Sequence, residues 1–159
     1  MRKRKSDDRV TSGDVLAFIE QTCRIPEGAH VGEPVRLASF QVEFVKAVYD
    51  NPPGTRRAYL STGKKNAKTT LSACLMLNHL CGPSARRRPN SQLYSTALNR
   101  PQAAIVFDAA VKMIRFNPDL ASAVRILETA KTLICQELGT RYRSLSAVCA
   151  RAVASVRHP

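Results

Sequence analysis

The chain has no run of roughly 18 apolar residues, so no segment of it reads as a membrane span. The basic tip MRKRK lacks the apolar stretch that secretion requires. Five cysteines are present (Cys23, Cys74, Cys81, Cys135 and Cys149), an odd number with no C-x-x-C pair. That spacing argues against zinc, and the set reads as reduced thiols of an intracellular protein. No internal repeat, low-complexity segment or Ser-His-Asp set can be assembled. Acidic residues are scarce: 12 Asp and Glu stand against 25 Lys and Arg, and none follows Glu137. The resulting net charge of +13 and pI near 10.2 favour polyanionic partners such as nucleic acid, nucleotides or acidic membrane.

What remains is ordinary globular material. The 159 residues, 44% of them hydrophobic, suffice for one modest domain with its own core. "DVLAFIEQTC" places Val15, Leu16, Ile19 and Cys23 near one helical face, with Ser12 or Asp14 as cap. Pro26, Gly28, Gly32 and Pro34 break it. A second helix is expected over "ASFQVEFVKAVYDN", with Phe40, Phe44, Val45, Val48 and Tyr49 as its apolar stripe and Pro52-Pro53-Gly54 as its end.

"RRAYLST", 56–62, reads as a short buried strand, and "TTLSACLMLNHLC" as a helix closed by Gly82 and Pro83. "ARRRPN" is expected to be a basic loop. "SQLYSTA", 91–97, reads as a strand, and "RPQAAIVFDAAVKMIRF" as a helix capped by Asn99. "SAVRIL", "TLICQE" and "RYRSLSAV" look like short strands, partly antiparallel. Strand, helix, strand, helix points to an α/β fold with a mainly parallel sheet and crossover helices. His79, near a helix end, reads as packed or capping. Tyr59, Tyr94 and Tyr142 read as core or sheet residues.

Between the first expected strand and its helix lies "STGKKNAKTT". A phosphate-binding loop needs inward-turned backbone N–H groups backed by a helix N-terminus. It also needs a lysine to bridge phosphates and a hydroxyl directly after it for Mg²⁺. Lys68 and Thr69 stand in that order. The strict G-x-x-x-x-G-K-T pattern fails twice, because Thr62 and Ala67 occupy the glycine positions and Gly63 comes one place late. Alanine is tolerable there provided its φ is negative. A K-K-x-x-K-T string also arises as solvated surface charge.

The wider sequence resembles the N-terminal part of the large terminase subunit of tailed bacteriophages, a DNA-packaging ATPase. Four landmarks occur in that family's order: "FIEQTCRIPEGAHVGEPVRLASFQVEFVKAVYDN", "AYLSTGKKNAKTTLSA", "YSTALNRPQAAIVFDAA" and "YRSLSA". The resemblance implies a P-loop NTPase-like domain that binds ATP and Mg²⁺. It assigns Lys68 to phosphate bridging, Thr69 to Mg²⁺ and Lys64 to the γ-phosphate as the catalytic basic residue of a deviant Walker A loop. Gly63, Lys65, Asn66 and Ala67 complete the loop, and Gln41, after Phe40, matches an adenine-recognising glutamine. It further implies double-stranded viral DNA, a small terminase subunit and a portal as partners, a homo-oligomer in the full-length protein, and the host cytoplasm.

The family's acidic Walker B strand is expected shortly after "YRSLSA", where this sequence reads "VCARAVASVRHP". The expected organisation is therefore a basic flexible N-terminus over 1–12, the N-terminal portion of an ATPase domain over 13–147, and an atypical tail over 148–159. That is an incomplete fold from a truncated or frame-shifted frame or a fragment, and it would hydrolyse ATP poorly or not at all. The competing reading is a non-enzymatic basic nucleic-acid-binding protein or a degenerate remnant.

Overall fold

A computed structural model describes residues 9–146; MRKRK, Cys149, His158 and the tail 148–159 lie outside the described residues. The first helix, α1 (Ser12–Thr22), is capped by neither Ser12 nor Asp14. Thr11 is the cap: its hydroxyl accepts from the Asp14 N–H, and the Asp14 carboxylate accepts from the Thr11 N–H at 2.8 Å. Ser12 instead ties α1 to the end of α2 (Ser39–Tyr49), donating its N–H and its hydroxyl to the Asp50 carboxylate at 2.8 and 2.6 Å.

α3 (Lys68–Leu80) runs through the middle of the core. Leu71, Ala73, Cys74, Met76, Leu77 and Leu80 are all buried, so this helix is apolar over most of its circumference, as a central helix must be. It stops at Gly82, where a Cβ would fall 2.8 Å from the Asn78 Cα. No other residue allows that approach. The expected basic loop 85–90 is corrected here: Pro83 opens a short helix, α4 (Pro83–Arg87), because proline's fixed φ suits a first turn.

β1 (Gln92–Ala97) leads into α5 (Arg100–Arg115), whose cap is Asn99 as expected; its side-chain oxygen accepts from the Gln102 N–H at 2.9 Å. α6 (Pro118–Ala123) takes Ser122 and Ala123 out of the strand expected there, since Asn117 caps a proline-initiated turn. β2 (Val124–Leu127), β3 (Thr132–Cys135) and β4 (Thr140–Ser146) follow.

The four strands form one sheet in the order β1-β4-β3-β2. Only β1 and β4 are parallel; β2–β3 and β3–β4 are antiparallel. The mainly parallel sheet is thus corrected to a mixed one. The connections from Leu127 to Thr132 and from Cys135 to Thr140 have hairpin length, and a parallel partner needs a long crossover. α5 supplies such a crossover between β1 and the hairpins.

The strand expected over 56–62 is absent: residues 57–63 join no ladder among the described residues, and Tyr59 is 86% exposed. Apolar content makes a strand only where a neighbour offers hydrogen-bonding partners, and none does so here.

One face of the sheet packs against α5 and α3. Tyr142 and Leu133 are buried in it, and the Ser95 hydroxyl donates to the Ala103 carbonyl of α5 at 3.1 Å. The opposite face carries Gln92, Tyr94, Arg125, Arg141 and Arg143, all exposed.

Candidate functional site

The loop is built by three elements. The irregular segment 57–63 delivers it, α3 leaves it, and α2 supports it from the side. Lys65 and Ala67 both adopt left-handed backbone, with φ of 65° and 49°. The condition of negative φ at Ala67 is therefore not met. Alanine sits where the strict pattern has glycine and bears a penalty of about 1–2 kcal/mol in doing so. Gly63 has no such constraint: its φ is ordinary, and a Cβ there would meet only Asn66 Nδ2, at 3.5 Å.

Ala67 is also the N-cap of α3 and offers no side-chain acceptor, and the first turn of that helix holds no acid. Its leading N–H groups, at the positive end of the helix dipole, thus lack the side-chain acceptor that satisfies most helix starts. Into this space Lys68 turns back. Its ammonium donates to the carbonyls of Thr62 at 2.5 Å and Gly63 at 2.9 Å. Lys64, Lys65 and Asn66 are exposed on the rim, and Thr69 is half-buried in the first turn of α3.

Gln41 reaches the loop from α2. Its side chain is 4% exposed, so it is not a surface glutamine. The amide oxygen accepts from the Ala38 N–H at 3.0 Å, and the amide nitrogen donates to the Asn66 carbonyl at 3.4 Å. In this state both ends of the amide serve the protein, one starting α2 and the other steadying the loop.

Beneath the loop, the Thr62 hydroxyl is buried without a hydrogen-bond partner. An orphaned buried hydroxyl is costly, by about 1–3 kcal/mol. The sequence signal was only that Thr62 stands at the pattern's first glycine, which gave no reason to assign it a role.

The residues fit a nucleotide's phosphates in kind: uncapped N–H groups, one anchored and two rim lysines, and no carboxylate in 61–70. Among the described residues no cluster of three or more His, Cys, Asp or Glu could hold a metal unaided. A divalent ion here would rest on the Thr69 hydroxyl and on phosphate oxygens, as Mg²⁺ ordinarily does.

The other reactive groups have structural roles. Tyr49 and His79 stack at 6.0 Å between ring centroids, and their Oη and Nε2 atoms lie 2.9 Å apart. Burial first, and Arg88 second, lowers the His79 pKa, so the ring is neutral at pH 7. The Cys81 thiol is pushed up to about 12 by burial, and Cys23 rises through its hydrogen bond with Cys74. Neither is a nucleophile at neutral pH. Tyr142 belongs to the core, and Tyr94 stands in the sheet with 42% of its surface exposed. Tyr59, expected beside them, belongs to neither. A cleft of about 620 Å³ lined by Arg9, Tyr49, His79, Arg88 and Gln92 includes no loop residue.

A family profile for the ATPase domain of the terminase large subunit matches residues 39–147. The large terminase subunit of Enterobacteria phage HK97 is 50% identical over 139 residues, 87% of this chain and 27% of that protein. The crystal structure of the HK97 bacteriophage large terminase superimposes with a TM-score of 0.79 at 48% identity, covering 86% of this chain and 27% of that one. The chain thus spans about a quarter of the length of these relatives.

Proposed function

The chain belongs to the terminase large-subunit family through its ATPase domain, and on that premise we propose that it is the nucleotide-binding part of a phage DNA-packaging motor. Residues 13–147 are read as the N-terminal portion of a P-loop NTPase-like domain. The observation that carries this is Lys68 anchored on its own loop carbonyls, at the uncapped start of α3.

In the proposed complex the β- and γ-phosphates of ATP take the first-turn N–H groups of α3 and the inner edge of 63–67. Lys68 leaves the Thr62 and Gly63 carbonyls and bridges the phosphates, exchanging two neutral acceptors for charged ones. Thr69 holds Mg²⁺, which when bound neutralises charge on the β- and γ-oxygens. Lys64, on the rim, faces the γ-phosphate and stabilises charge developing there. Gln41 keeps Asn66 in place and reads adenine only by releasing one of its present bonds; an amide matches an adenine edge with one donor and one acceptor.

Turnover also needs a carboxylate to activate water, and 61–70 contains none. The loop alone therefore supplies binding, and the activating carboxylate must come from outside it. Coupling of hydrolysis to translocation of double-stranded viral DNA, with a small subunit and a portal as partners and a ring of copies, is the proposed role of the longer protein in the host cytoplasm.

Calorimetry with Mg·ATP tests the site. The wild type is expected to bind, and Lys68→Ala to lose at least tenfold in affinity while keeping its melting temperature. Equal binding by both folded proteins would sink the nucleotide reading and leave a basic DNA-binding protein indifferent to ATP.

A further inference from the structure

The sheet face turned away from α3 and α5 is organised by register. Arg125 pairs with Ile134, Ile134 with Arg141, and Arg141 with Gln92, forming one row across all four strands. The next row runs Leu127, Thr132, Arg143, Tyr94. Side chains alternate faces along a strand, so these two rows share a surface. Burial agrees: Arg141 and Arg143 are exposed while Tyr142 between them is buried.

Two strand spacings set Arg125 and Arg141 about 10 Å apart at the backbone, and Arg141 and Arg143 are about 7 Å apart along β4. None of the three arginines is in an ion pair among the described residues, although Lys112, Arg115 and Lys131 elsewhere each have a carboxylate. Neither row contains an acidic residue.

We propose that this face is a docking surface for the sugar–phosphate backbone of double-stranded DNA, with Arg125, Arg141 and Arg143 each neutralising a phosphate. A sheet face with three guanidinium groups unpaired among the described residues offers several cations to a row of anions, and guanidinium presents a fork of donors that fits phosphate. The chain's charge of +13 would draw the duplex to it. An acidic protein would need compact carboxylates matched to three points, whereas a duplex presents phosphate charge all along its axis. The inference deepens the packaging reading by giving the DNA a place on this chain, but its test does not pass through the nucleotide site.

Binding of a mixed-sequence duplex to the whole chain is measured by fluorescence anisotropy from about 50 to 200 mM salt. The Arg125→Gln/Arg141→Gln/Arg143→Gln variant is expected to flatten the plot of log K against log salt by about 2–3, near 0.9 per phosphate lost. Arg143→Gln alone should flatten it by about 1. Arg36→Gln/Arg56→Gln/Arg86→Gln removes the same charge elsewhere and should change the slope less. Lys68→Ala should leave the slope unaltered, so failure of the nucleotide site and failure of this surface read differently. Thermal melting establishes that each variant is folded. A wild-type slope in the first triple variant, an equal change in the second, or no duplex binding by folded wild type at the lowest salt overturns the proposal.

Discussion

Ala67 concentrates the tension in the loop. Its αL backbone is what a phosphate loop's second glycine supplies without strain, yet a methyl group is present. Ala67→Gly should therefore relieve strain and raise unfolding free energy by up to about 1 kcal/mol, part of the gain being lost to glycine's unfolded-state entropy. A denaturant midpoint decides: a lower midpoint would mean the methyl makes a compensating contact. The placement of Lys68 and Thr69 at the start of α3 was legible in the sequence, because the apolar helical pattern begins there. The sign of φ at Ala67 was not, because loop closure sets it, and spacing carries no information about closure. The same limit hid the second job of Gln41, whose bond to Asn66 joins parts of the chain that only folding brings together.

Among elements, α1 and α2 are joined by polar contacts that respond to pH. The Asp50 carboxylate accepts two bonds from Ser12, side chain first in effect and backbone second, and these hold its pKa below the ordinary value. Asp14 is likewise lowered, by the Thr11 N–H and then the Thr11 hydroxyl. A carboxylate depressed in the folded state adds stability that is present above its unfolded pKa, near pH 4, and is lost as pH falls through the folded value. Melting temperature should thus drop more steeply below about pH 4 in wild type than in Asp50→Asn, measured by scanning calorimetry. Parallel slopes would show that the Ser12 bonds do not differ between folded and unfolded chains. Helices were the readable part of this sequence: apolar spacing located α1, α2, α3 and α5 to within a residue or two. The exact cap was less readable, since Thr11, Ser12 and Asp14 all have cap chemistry. The irregular segment 57–63 was misread because its apolar residues show what it could bury, not whether a neighbouring strand is there.

For the molecule as a whole, α3 is the axis: it starts at the candidate site and ends beside the Tyr49–His79 stack. Leu77, fully buried in its last turn, ties the helix to the core. Leu77→Ala should lower stability by about 2–5 kcal/mol, read from urea denaturation. A loss under about 1 kcal/mol would mean the surrounding side chains collapse onto the gap. Fold class was legible from the alternation of apolar periods, but the sheet's mixed directions rest on two short connections that the sequence reading weighted too little. The parallel pairing of β1 with β4 has one more consequence. The chain from Ala97 to Thr140 separates the two strands, and the antiparallel hairpins arise within that interval. During synthesis β1 and α3 leave the ribosome early, whereas the seam that joins them to the hairpins closes only after β4 has emerged. Until then β1 is an unpaired edge, so this sheet is most open to misassociation in the interval between the emergence of β1 and that of β4.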